Sequence, residues 1–141
     1  MSGRNIGAIV AAAVVHFLFG AVWFTVLMNP WMAAIGKTQE QLMAQGSPAV
    51  AYTVAFICNL LIGYAIFRVL TWRGNISACN GAMVGLLLGL LIAGATIVTE
   101  MVFEAAPLKA MAIIAGYPII GLILMGLVIG AIAKVEAKTA A

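Results

Sequence analysis

Few residues of this chain could do chemistry, and most of them stand apart from one another. Glu100 and Glu104 are spaced one helical turn apart, where two carboxylates repel and can accept a proton or a cation. Thr96 lies a further turn upstream as a neutral ligand, and Lys109 follows as a nearby positive group. His16 is the only histidine, and an ionisable side chain within an apolar helix is a functional hypothesis by default. Thr96, Glu100, Glu104, Lys109 and His16 therefore form the candidate polar cluster. Each has a plainer reading beside it. The two carboxylates also suit a membrane interface, neutralised by Lys109 or by water, where a charge costs far less than at the bilayer centre. A neutral His16 bonded to a neighbouring helix, through Asn59 or Tyr64, explains the histidine equally well.

Ordinary catalysis finds little support. The chain has no aspartate, no G-x-x-x-x-G-K-[ST] phosphate loop, no H-E-x-x-H and no G-x-S-x-G elbow. Ser47, Ser77, Cys58 and Cys79 have no histidine placed to activate them, and the cysteines show no metal-ligand spacing. The expectation is a protein that is not an enzyme and carries no catalytic residue, no metal and no cofactor.

The elements that must position these residues follow from solvent. Of 141 residues, 65% are apolar and 8% charged, against roughly 25% charged in an ordinary soluble domain. The charges leave free runs at residues 5–36, 41–67, 74–99 and 110–133. Each run exceeds the roughly 20 residues that a helix needs to cross the hydrocarbon. A chain this short could not bury so much apolar surface in water. The fold class is therefore all-α, an integral membrane four-helix bundle forming a single domain, with helices at about 6–28, 48–70, 77–103 and 108–133. Asn29-Pro30 is read as the end of the first helix, since proline disfavours a helical residue before it. Thr38 and Gln41 match a capping box for a short outer surface helix between the first two spans. Pro118 lies within the fourth helix and should free the carbonyl of Ile114.

Basic residues orient the bundle. Four crossings place Arg4, Arg68, Arg73, Lys134 and Lys138 on one side and only Lys37 and Lys109 on the other. The positive-inside bias then puts both termini in the cytoplasm. The net charge of +3 comes from residues scattered at helix ends, so it argues for lipid and not nucleic acid as partner.

Small residues at four-residue spacing mark where helices can approach closely: Gly81, Gly85 and Gly89 followed by Ala93, and later Gly126 and Gly130. Projected at about 100° per residue, Thr96, Glu100 and Glu104 share the face of the first ridge and should look towards protein or a cavity. His16 shares a comparable ridge with Ala8, Ala12 and Gly20.

Two blocks of text resemble a known family. Gly20-Ala21-Val22-Trp23-Phe24, then Trp31 and Gly36, is similar to the G-A-L-W-Y and following tryptophan of the bacterial membrane family known as domain of unknown function 1761. Phe103-Glu104-Ala105-Ala106-Pro107-Leu108-Lys109, then Ala115-Gly116-Tyr117, is similar to its F-E-x-x-P-L-K and A-G-Y. Where that family often has Tyr-Ser-Pro, this chain has Phe24-Thr25-Val26. The resemblance implies four membrane helices and no established activity. It adds weight to Gly20, Trp23, Trp31, Glu104, Pro107, Lys109, Gly116 and Tyr117, expected as one outer cluster stapling the two helix-ending prolines. The reading that results is a non-enzymatic packing or accessory module that forms a homo-oligomer or joins a membrane complex. The alternatives are a small ion- or proton-coupled transporter or channel using Glu100 and Glu104, and an intramembrane lipid enzyme.

Overall fold

A computed structural model describes residues 1–44 and 46–134. It is helical, with no strand among the described residues: α1 (Gly3–Ile35), a short α2 (Gln39–Met43), α3 (Pro48–Trp72), α4 (Ala78–Phe103) and α5 (Leu108–Ile132). Four of these are long and apolar enough to cross a membrane, and they form the expected bundle. α5 is central, packing against α1, α3 and α4.

The first helix does not stop at Asn29-Pro30. It runs through Pro30 to Ile35 and ends where Gly36 turns left-handed at φ 65°. The amide of Lys37 there reaches back to the Met32 carbonyl at 3.2 Å. A mid-helix proline removes one hydrogen bond but can be carried by a long helix, whereas a left-handed glycine ends the ladder outright. α2 is capped as expected, with Thr38 N–H donating to Gln41 Oε1 at 2.9 Å and Gln41 N–H donating to Thr38 Oγ1 at 3.4 Å. α4 starts on a Ser77 cap whose Oγ accepts from Asn80 N–H at 3.3 Å. It ends with Ala106 N–H on the Met101 carbonyl and Ala105 N–H on the Val102 carbonyl, a Schellman pair. The residue forced left-handed in that motif is Ala105, at φ 52°, a conformation that normally requires glycine.

The glycine ridges meet each other within the chain. A Cβ added to Gly81 would strike the Gly126 carbonyl, one on Gly126 would strike the Gly81 carbonyl, and one on Gly130 would strike that of Ser77. Gly85 faces Leu122 O in the same way. α4 and α5 thus touch backbone to backbone, the contact that small residues permit where lipid supplies no hydrophobic drive.

Between the ridge and the end of α4, residues Leu88–Gly94 form a π-helical stretch. The next small residue on the buried face is Gly94 and not Ala93, so the spacing from Gly89 widens from four to five. One extra residue in a turn rotates everything downstream by about 100°. Thr96, Glu100 and Glu104 are consequently exposed, and Ile97 and Met101 take the half-buried positions. The expectation that the carboxylates share the glycine face fails for this reason.

The bundle is knit at the end where α1 begins and α5 finishes, and parts towards the other. Its core there joins Ala8, Ala12, Ile66, Leu70, Met125 and Ile129, all fully buried. Asn5, also fully buried, closes that end. Its Nδ2 donates to the Lys134 carbonyl at 3.2 Å and its Oδ1 accepts from Lys134 N–H at 3.0 Å. Arg4 Nε donates to the Ile132 carbonyl, so carbonyls left unpaired at the end of α5 are satisfied by the start of α1. Towards the far end, α3 from Pro48 to Ala55 and α4 from Val98 to Glu100 are exposed throughout.

Candidate functional site

Where the packed half gives way to the open half, three helices bring polar side chains together. The ridge of α1 carries His16 inward, because Ala8 and Ala12 below it let α1 lie close to its neighbours. Asn59 comes from the buried stripe of α3 that continues through Gly63 and Ile66. Tyr117 comes from α5, immediately before Pro118. His16 and Asn59 are 2% and 5% exposed, and His16 Nδ1 lies 2.9 Å from Asn59 Oδ1. With the amide oxygen turned to the ring, Nδ1 carries the proton and donates. Of the two partners foreseen for His16, Asn59 is the one in place.

The imidazole lies flat on the Tyr117 ring, centroids 4.8 Å apart and planes 16° from parallel, with Phe19 stacked at 5.9 Å from the same tyrosine. Two glycines make room. A Cβ on Gly20 would come 2.9 Å from the Tyr117 hydroxyl, and one on Gly121 would collide with the edge of the His16 ring. That edge holds Nε2, which is buried against α5 without a hydrogen-bond partner among the described residues.

Above this layer the parted helices enclose a cleft with two lobes, about 510 Å³ and 480 Å³. Both are lined by Phe24, Ala55, Asn59 and Tyr117. The first lobe continues between α3 and α4 past Cys58, Leu88, Ile92 and Ile97 and also touches His16. The second runs between α1 and α3 past Phe17, Thr25 and Tyr52. Both are open at the side, and their walls are almost wholly apolar. Asn59 Nδ2 and the Tyr117 hydroxyl have no protein partner among the described residues, and both side chains line the cleft.

The candidate polar cluster is not assembled here. Thr96, Glu100, Glu104 and Lys109 line neither lobe, and the Thr96 hydroxyl is spent on the Ile92 carbonyl of its own helix at 2.7 Å. Glu104 and Lys109 are exposed and make no salt bridge among the described residues.

The expected single staple also divides into two. Trp23 Nε1 donates to the Ile113 carbonyl at 3.1 Å and its ring lies over Gly116, locking α1 to α5 beside Tyr117. Trp31 meets Phe24 at 6.4 Å, edge on. Phe103, Glu104, Pro107, Leu108 and Lys109 instead face outwards on the α4–α5 turn, where Phe103 is 88% and Leu108 81% exposed. Asn5, which ties the start of α1 to Lys134, was not singled out by sequence reasoning; its place one turn before Ile9 on the buried stripe of α1 was the available signal. The five-residue gap from Gly89 to Gly94 was the corresponding signal for the π-helical stretch.

A family model described as "Protein of unknown function (DUF1761)" matches residues 7–130. No curated protein and no solved structure matches the chain.

Proposed function

Because the chain belongs to the family of proteins of unknown function DUF1761, which brings no assigned activity with it, we propose from its own surface that it is a non-enzymatic packing module that pairs with a second copy in the membrane. Its termini lie in the cytoplasm and its α4–α5 turn on the outer face of a bacterial inner membrane, as the distribution of basic residues argues.

The observation that carries the reading is the α4–α5 turn. Glu104 and Lys109 carry opposite charges on one short segment, yet neither is paired within the chain. Phe103 and Leu108 flank them and project almost fully clear of the fold. A two-fold axis makes such a surface self-complementary, since Glu104 of each copy then meets Lys109 of the other. The left-handed Ala105 supports the same segment as a working one, because strain of this kind persists where the backbone is held for a purpose. The glycine ridges no longer argue for association, as α4 and α5 use them on each other.

A charge exchange tests the proposal. Wild-type protein in mild detergent should have the mass of a dimer. Glu104→Lys should shift it towards monomer, Lys109→Glu should do the same, and the two together should restore the dimer. A wild type that is monomeric at all concentrations, or a double variant no better than the singles, would sink the idea.

A further inference from the structure

We propose that the two-lobed cleft is a binding site for a neutral, membrane-dissolved carbonyl compound with a flat ring and an aliphatic tail. Three observations fix that chemistry. The cleft is apolar and open at the side between helices that cross the bilayer, so its occupant arrives from the lipid phase. Its volume falls within the roughly 300–1,000 Å³ of small-molecule sites.

The second observation is the polar pair within it. Asn59 is nine-tenths buried, its oxygen is held by His16, and its amide N–H groups are left facing a greasy cavity. A donor so placed is incomplete until an acceptor meets it. Tyr117 lines both lobes, and its hydroxyl, beside Gly20 of the second lobe, is a second donor. No lysine, arginine or carboxylate lines either lobe, so an anion or a cation would be desolvated there without compensation. A carbonyl oxygen fits, and a charged headgroup does not.

The third observation is depth. His16 stands about 18 Å along α1 from Arg4, near the middle of the hydrocarbon. The ester carbonyl of an ordinary phospholipid stays at the hydrocarbon boundary beside its headgroup, so a molecule wholly dissolved in the membrane is the better match. The Phe24 ring, which lines both lobes 5.2 Å from that of Tyr117, offers flat apolar surface to a ring.

The test uses the full chain in lipid nanodiscs, with empty nanodiscs as background. The probes are 2-decyl-1,4-benzoquinone, decylbenzene as its carbonyl-free counterpart, and methyl decanoate as a carbonyl without a ring. The quinone should bind saturably, at least about tenfold more tightly than either counterpart. Tyr117→Phe should weaken it about three- to tenfold, the value of one hydrogen bond. Ala55→Phe, which adds a ring at an exposed position lining both lobes, should abolish saturable binding while thermal stability stays at the wild-type value. No saturable binding of the quinone, equal binding of decylbenzene, tighter binding of the ester, or unchanged binding to Ala55→Phe would each overturn the assignment.

Discussion

At the scale of single residues, the most constrained contact is that of His16 with Gly121. A methyl group at Gly121 would meet the imidazole edge, and the ring cannot swing away without leaving Asn59 and Tyr117. Gly121→Ala should therefore cost about 1–3 kcal/mol of stability, typical of overpacking, read as a lower midpoint in detergent unfolding. The His16–Asn59 pair makes a second prediction. Asn59→Leu alone strands a buried imidazole donor and should destabilise by about 1–3 kcal/mol, whereas Asn59→Leu with His16→Leu should recover part of the loss. A double variant as unstable as the sum of the singles would show that the pair is not coupled. Residue identities in this region were partly legible in the sequence. His16 stood out as a lone ionisable group, and Asn59 was one of two partners in reach. Tyr117 was visible only through a family motif, because its stacking depends on which faces α1 and α5 present, and a one-dimensional pattern does not carry that.

At the scale of elements, α4 shows how a local irregularity redirects a face. Four-residue periodicity read Gly81, Gly85 and Gly89 correctly and then carried the wrong residues inward, because nothing in an apolar run announces a π turn. Deleting Leu91 should convert the stretch to regular α-helix and shorten the step from Gly89 to Gly94 to four residues, so that Gly94, Ile97 and Met101 keep the buried face. Thr96 and Glu100 would then stay outside. A cysteine in place of Glu100 should label readily with or without the deletion; poor labelling in the deletion variant would refute the account. Pro30 taught the converse lesson. It looked like a terminator, but the stop lies at Gly36, where the backbone and not merely one hydrogen bond changes hand. The α4–α5 contact permits a prediction too. Gly81→Leu places a side chain against the Gly126 carbonyl, which is backbone and cannot yield, so it should separate the helices and lower stability by about 2 kcal/mol or more.

At the scale of the whole molecule, the number of crossings and the helical class followed from charge-free runs alone, because a bilayer leaves so few alternatives. How the bundle divides into a knit half and a parted half was not legible, since lipid covers apolar surface as readily as protein does and hydropathy cannot separate the two. The backbone-to-backbone seam of α4 and α5 bears on how this division arises during folding. A contact made of glycines immobilises no rotamers, so closing it surrenders little conformational entropy. Its two helices are neighbours in the chain, joined by a turn that Ala105 has already bent, which keeps the search short. That hairpin should thus be the first tertiary structure to persist, a template on which α1 and α3 settle afterwards.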